Sequence, residues 1–285
     1  MTTTPNAPAP KSSSTASMDA KVREAVGSAE RPDPVGPLGS SLIFTHRALL
    51  KIKHVPEQLF DVTMFPILFT LMFTYIFGGA IAGSTGQYLE YLAPGILVQT
   101  VVMITMYTAM TINNDIKKGV FDRIRSLPVW RPSLMVGALL GDTLRYTMAS
   151  VVILVVTMAI GYRPPGGVMG VVAAVVLLLV FCFSVSWIWT LLGMKLRSPE
   201  SVMGVSMMVL FPLTFLSNVF VPIDTMPSWL QPAVEHNPVS ILVDAVRSLM
   251  VGDAHGGSIL QVLVISGVLV AVFGPLTMRA YSRKN

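Results

Sequence analysis

The chain has 285 residues, of which 53% are hydrophobic and only 12% are charged. A soluble globular domain carries about 25% charged residues, so this composition excludes one and favours a chain divided into membrane spans. The formal net charge of +5 does not indicate nucleic-acid binding, because the basic residues flank apolar runs and do not gather on a soluble face. The single cysteine, Cys182, lies inside an apolar run, which rules out a disulfide framework within the chain.

The first 58 residues precede the long apolar runs. Residues 1–40 are rich in Thr, Ser, Ala and Pro and contain no apolar core segment, so we predict a disordered cytoplasmic tail without a cleavable signal peptide. Residues 41–58 mix Leu, Ile and Phe with basic residues and are too charged to span. They predict an amphipathic helix at the inner membrane interface.

Residues 59–285 are expected to form an all-α transmembrane domain with six spanning helices. Each apolar run is close to the roughly 20 residues that a helix needs to cross a bilayer. The predicted spans are about 59–82, 91–112, 133–160, 168–192, 202–221 and 258–278.

The distribution of basic residues predicts the orientation of these spans. If the N-terminus is inside, 18 of the 20 Lys and Arg residues fall in or next to inner segments, and Arg163 and Arg247 are the other two. The positive-inside rule therefore favours both termini in the cytoplasm.

The inner segment 113–132 could contact a partner protein. Ile116, Val120, Ile124 and Leu127 are spaced like one face of a short amphipathic helix, with charged residues around them. Such a helix can insert its apolar face into a groove on another protein, or it can rest on lipid headgroups. The residues alone leave both interpretations open.

Polar residues inside the spans either line a path for an amphipathic substrate or hydrogen-bond between helices. The candidates for a path between spans two and five are Gln99, Met103, Tyr107, Met207, Phe211, Phe215 and Asn218. Asp142 and Arg145, three residues apart in span three, are expected to pair with each other or with a neighbouring helix. Other acidic residues lie at span ends or in loops, which disfavours a proton-driven antiporter.

Several motifs are absent from the sequence. No lysine directly follows a glycine, so the chain has no P-loop of its own for ATP. The four histidines have no zinc-type spacing, and no Gly-x-Ser-x-Gly nucleophile motif occurs. We therefore expect no catalytic residue, no bound metal and no bound cofactor, and we predict that the chain is not an enzyme.

The segment that follows span five combines an unusual set of residues. It runs Pro212…Asn218-x-Phe-x-Pro222…Met226-Pro-x-Trp-Leu230…Asn237-Pro238…Asp244-x-x-Arg247. With Arg125-Ser-Leu-Pro128 and the interfacial helix, this series resembles the membrane permease of type-2 ABC exporters. It is most similar to the daunorubicin-resistance-like efflux permeases for drugs, polyketides or lipids in actinobacteria.

The resemblance implies a multi-pass protein of the bacterial cell membrane, surrounded by lipid. It implies a second permease copy, most simply in a homodimer, and two copies of a separate ATP-binding subunit that holds ATP and Mg²⁺. Segment 113–132 then corresponds to the coupling helix that docks on that ATPase, with candidate contacts at Asp115, Lys117, Lys118, Phe121, Asp122, Arg123 and Arg125. The segment after span five corresponds to an outer re-entrant helical hairpin that caps the path, with Pro222, Met226, Pro227, Trp229, Asn237, Pro238, Asp244 and Arg247.

Two other functions remain open at this point. The chain could be a permease for a polysaccharide or lipid-linked glycan, which a wide groove lined by aromatic residues would favour. It could also be a membrane subunit that anchors an assembly without transporting anything.

Overall fold

A computed structural model describes residues 66–120, 133–253 and 256–283, with Gly36, Gly39, Ile43 and Met64 as single positions. The predicted tail 1–40 and interfacial helix 41–58 lie almost entirely outside the described residues. The described residues form helices joined by short turns and no strands, and the long helices belong to one compact unit, residues 36–285. The predicted all-α fold class is therefore confirmed.

Eight α-helices can be followed through the described part of the chain. They are α1 (Pro66–Ile81), α2 (Thr85–Lys117), α3 (Ser133–Ile160), α4 (Gly167–Lys195), α5 (Pro199–Phe215), α6 (Gln231–Glu235), α7 (Pro238–Val251) and α8 (Gly256–Arg283). Helix α1 contains a π-helical turn at Phe73–Phe77, and α2 is interrupted for one residue at Thr105. A 3-10 turn, Ile223–Thr225, lies between α5 and α6.

Four of the described helices are long and apolar enough to cross a membrane. They are α2, α3, α4 and α8, whereas α1 and α5 are shorter apolar helices. The chain is thus a multi-pass membrane protein, while the number of crossings and their orientation stay predictions. At a rise of 1.5 Å per residue, α2 is about 50 Å long, so it extends well beyond a hydrocarbon core of roughly 30 Å.

Helix α5 ends earlier than the predicted span 202–221. It stops at Phe215, and its 17 residues reach only about 25 Å. The physical reason is that the carbonyls of Leu213 and Leu216 accept hydrogen bonds from the Asn237 side chain at 2.8 and 2.6 Å. The helix therefore gives way to an irregular segment, residues 216–222, which lies against α2 and α7.

Helix α2 occupies the centre of the bundle. Its most apolar window is 83% buried, whereas the corresponding window of α8 is only 11% buried. Close approach of α2 and α4 depends on Gly193, where an added Cβ would overlap the Ala109 carbonyl oxygen. The exposed apolar side chains of α8 recur every four residues at Leu260, Val264, Val268 and Val272, as expected for a surface in contact with lipid.

Candidate functional site

An apolar cavity of about 400 Å³ opens between α1, α2 and α5. Its walls carry methionine and aromatic side chains, and the rings of Phe211 and Phe215 stack with centroids 4.3 Å apart. Its lining residues are Pro66, Phe69, Ile96, Gln99, Thr100, Met103, Ile104, Met106, Tyr107, Met203, Met207, Phe211 and Phe215. Such a surface suits a flat, largely apolar molecule that makes few polar contacts.

The structure brings six of the seven predicted path residues to this one cavity. Gln99, Met103 and Tyr107 line it from α2, and Met207, Phe211 and Phe215 line it from α5. The seventh, Asn218, is not among the lining residues, because its side chain donates to Asp244 of α7. Whether the cavity is a transport path stays a prediction.

Residues of α1 and several residues of α2 and α5 line the cavity without having been predicted from the sequence. Met203 could have been found from its spacing, because Met203, Met207, Phe211 and Phe215 recur every four residues along α5. Ile96, Thr100 and Ile104 likewise share a face of α2 with the predicted residues. No comparable signal marks Pro66 and Phe69, since their position depends on how α1 packs.

A buried polar cluster lies beside the cavity, between α2, α3 and α4. Asp142 and Arg145 form an ion pair, and their side chains are each 5% exposed. The Thr108 hydroxyl donates to Asp142 Oδ2 at 2.6 Å and lies 2.9 Å from the Tyr146 hydroxyl, which is 2.8 Å from Ser186 Oγ. The predicted pairing of Asp142 with Arg145 is therefore present. The whole cluster connects α2, α3 and α4.

A second polar cluster holds the segment after α5, which is predicted to face outward, on α2. Asn218 Nδ2 donates to Asp244 Oδ1 at 2.6 Å, and Arg247 Nη1 contacts the same oxygen at 3.1 Å. The Arg247 guanidinium also lies 4.0 Å from the ring centroid of Tyr91, whose hydroxyl donates to the Asn218 carbonyl at 2.7 Å. The pKa of the Asp244 carboxyl is raised, because the effect of burial exceeds the lowering by Arg247 and by the Asn218 side-chain amide. We call the cluster of Tyr91, Asn218, Asp244 and Arg247 the outer latch.

Further contacts fix the irregular segment 216–222 beside the outer latch. The Tyr88 hydroxyl donates to the Phe220 carbonyl at 2.9 Å, and the backbone N–H of Asn218 donates to Ser240 Oγ at 3.3 Å. A Cβ on Gly95 would lie 2.6 Å from the Val219 carbonyl oxygen, so glycine permits this close contact with α2. Backbone that is not helical is tolerated at membrane depth only when protein groups satisfy it in this way.

The residues predicted for the outer cap lie in three different environments. Asn237 caps α7 by accepting from Val239 N at 2.8 Å, and Pro238 is the first residue of that helix. Pro227 is exposed and Trp229 is 78% exposed, while Pro222 and Met226 are half-buried. Asp244 and Arg247 belong to the outer latch. Some of the predicted cap residues are therefore fixed by hydrogen bonds within the bundle, whereas Pro227 and Trp229 are exposed.

The predicted coupling residues lie partly outside the described part of the chain. Phe121, Asp122, Arg123 and Arg125 fall in the gap between residues 120 and 133. Lys117 and Lys118 are exposed at the end of α2, and Asp115 is half-buried on its last turn. Ile116 and Val120, two members of the predicted apolar face, pack beside a small cluster that contains Met135, Met194 and Tyr281. Within the described residues, no group of acidic, His or Cys side chains could hold a metal ion.

These features agree with the comparison of the chain with known proteins. The family described as "ABC-2 type transporter" matches residues 41–251. The chain therefore belongs to the ABC-2 type transporter family. Membership implies a membrane permease that works with an ATP-binding partner subunit.

Individual relatives extend this result over nearly the whole chain. A protein named daunorubicin resistance ABC transporter permease protein DrrB1, from Streptomyces coeruleorubidus, is 47% identical over 272 residues, which cover 95% of this chain and 96% of the relative. A probable doxorubicin resistance ABC transporter permease protein DrrC from Mycobacterium tuberculosis is 23% identical and covers 83% of this chain and 84% of its own length. A putative transport permease, ycf38, from Cyanophora paradoxa is 23% identical and covers 73% of this chain and 72% of its own length.

Proposed function

We propose that this chain is the transmembrane permease subunit of an ATP-driven exporter that moves an amphipathic drug, polyketide or lipid out of the cell. The observation that carries the proposal is the 47% identity with a daunorubicin resistance permease over 95% of the chain. The apolar cavity between α1, α2 and α5 supports it, because 400 Å³ is within the range of small-molecule sites. The cavity is a small pocket with few polar lining groups and is not the wide groove expected for a glycan, so it favours such a cargo over a hydrophilic glycan chain.

The proposed assembly contains two permease copies and two copies of a separate ATP-binding subunit. ATP and Mg²⁺ are held by that subunit, and this chain supplies no catalytic residue. Closure of the ATP-binding subunits moves segment 113–132, which rocks the two permease bundles from inward-facing to outward-facing. Helix α2 suits this role, because it runs, with one interruption at Thr105, from Tyr91 of the outer latch to Lys117 in segment 113–132.

Filling the cavity tests the proposed cargo site. Met103→Trp adds a bulky ring to the cavity wall, and we expect ATP-dependent uptake of a daunorubicin-type drug into inside-out vesicles to fall by about tenfold. The control is Leu263→Trp on the exposed face of α8, where Leu263 is 45% exposed and the added ring meets lipid. Equal uptake by both variants and the unmodified chain would exclude this cavity as the cargo site.

Charge reversal tests the proposed coupling segment. We expect Arg123→Glu combined with Arg125→Glu to abolish drug uptake while the permease still folds and inserts, because the docking surface for the ATPase would repel its partner. Arg163→Glu in the loop between α3 and α4 is the matched control, since that loop is predicted to face outward. Undiminished uptake by the double variant would contradict the assignment of the coupling segment.

A further inference from the structure

The cavity between α1, α2 and α5 contains two polar side chains that bond to nothing in its walls. Gln99 is 8% exposed and Thr100 is 6% exposed, and both line the cavity. No hydrogen bond joins either side chain to another described residue. Thr100 differs in this respect from Thr157 and Thr214, whose hydroxyls each donate to the carbonyl four residues earlier.

These two residues form one polar band on the cavity face of α2. Ile96 precedes the band by about one helical turn, and Met103 and Ile104 follow it by about one turn on the same face. A side-chain amide offers one acceptor and two donors, and a hydroxyl both donates and accepts. The band can therefore accept and donate hydrogen bonds at one place in an otherwise apolar stripe.

The rest of the cavity wall offers no counter-charge. None of the described residues that line it is Asp, Glu, Lys, Arg or His. An ionised group that entered would lose its hydration without meeting an opposite charge, whereas an uncharged polar group loses much less. An uncharged group that reached the band would also give partners to two buried polar side chains, which a hydrocarbon leaves unpaired.

We propose that Gln99 and Thr100 are specificity-determining residues for the cargo. They bind an uncharged group that both accepts and donates hydrogen bonds, such as an amide or a carbonyl beside a hydroxyl. The aromatic and methionine walls hold the flat apolar body that carries this group, and any ionised substituent of the cargo stays outside the cavity. This inference rests on the proposed function, because the cavity is a cargo site only if the chain is an export permease.

Two probes of nearly equal shape test the inference. Pyrene-1-carboxamide carries an uncharged group that accepts and donates, and 1-isopropylpyrene has methyl groups in place of its oxygen and nitrogen. Equilibrium dialysis measures the binding of each probe to the full-length chain in nanodiscs. Nanodiscs of ether-linked phosphatidylcholine contain no ester carbonyls that could compete for the two side chains. Met103→Trp fills the cavity, so this variant gives the binding that occurs elsewhere on the nanodisc.

Gln99→Met and Thr100→Val remove the hydrogen-bonding groups with little change in shape. Neither native side chain has a described partner, so the variants should unfold at the same temperature as the unmodified chain. The two substitutions combined should weaken the cavity's binding of pyrene-1-carboxamide by about tenfold. The binding of 1-isopropylpyrene should not weaken, because this probe makes no hydrogen bond.

Two matched controls make the same substitutions away from the cavity. Thr157→Val on α3 changes a buried threonine that is not among the lining residues. Gln261→Met changes an exposed glutamine of α8. Both controls should bind the two probes as the unmodified chain does.

The inference is wrong if the ratio of the two affinities is the same in the unmodified chain and in the combined variant. It is also wrong if Met103→Trp removes no binding of pyrene-1-carboxamide. Failure of the proposed function has a different signature, because the complex with its ATP-binding subunit would then show no ATP-dependent uptake of either probe or of a daunorubicin-type drug into inside-out vesicles. ATP-dependent uptake together with an unchanged affinity ratio would reject the inference alone.

Discussion

In this protein, single buried polar side chains form hydrogen bonds to backbone groups that would otherwise need water as a partner. Asn237 shows this best, because its side-chain amide donates to the carbonyls of Leu213 and Leu216 at the end of α5 and its oxygen caps α7. We expect Asn237→Ala to lower the free energy of unfolding by about 3 kcal/mol, since two partly buried carbonyls and one helix terminus lose their partner. A lower midpoint in thermal unfolding of the detergent-solubilised protein checks this.

Asn237→Ser separates the two roles of this residue. Serine still caps a helix well, but it has no amide group to reach the carbonyls of Leu213 and Leu216. Its stability should therefore lie between those of the alanine variant and the unmodified chain. If both substitutions left the unfolding midpoint unchanged, the end of α5 would not depend on Asn237.

At the scale of elements, the packing of the bundle depends on close approach of α2 and α4. A methyl group on Gly193 would overlap the Ala109 carbonyl oxygen, so Gly193→Ala must separate the two helices. We expect a loss of about 1–3 kcal/mol, as is typical for overpacked sites. Gly267→Ala on α8 is the matched control, because nothing lies within 4 Å of its added Cβ and alanine is the better helix former. A thermal unfolding series that ranks the two variants equally would contradict this account of the packing.

Uninterrupted apolar runs are the part of the fold that the sequence alone predicts well. The predicted span 133–160 coincides with helix α3, Ser133–Ile160, and the predicted runs for α4 and α8 differ from the helices only at their ends. The end of α5 could not be predicted in this way. Its carbonyls bond to Asn237, more than 20 residues further along the chain, and no local pattern encodes that contact.

The same distinction applies to the candidate site. The four-residue spacing on α5 and the matching face of α2 are local signals, and they place six predicted residues around one cavity. Asn218 was expected on the path because it is a polar residue inside the predicted span 202–221. The structure places it in the outer latch instead, because Asp244, 26 residues away, accepts its amide at 2.6 Å. Partners that are distant in sequence thus decide which polar residues face the cavity.

At the scale of the whole molecule, the bundle buries polar as well as apolar side chains, and much of its exposed surface is apolar. Residues such as Thr108, Asp142 and Ser186 are buried, whereas apolar side chains of α8 are exposed. A chain with this distribution needs lipid around it, and the basic residues then decide which end faces the cytoplasm. Of the 20 Lys and Arg residues, only Arg163 and Arg247 are predicted to lie on the outer side.

Cysteine labelling tests this orientation with little background. The single native cysteine, Cys182, is fully buried, so the unmodified chain should not react with a membrane-impermeant maleimide. Trp229→Cys, at a 78% exposed position in the predicted outer cap, should be labelled in intact cells. Lys118→Cys, at the exposed end of α2, should be labelled only after the membrane is opened. The reverse pattern would invert the whole molecule and would place the basic segment 113–132 outside, where no ATP-binding subunit could reach it.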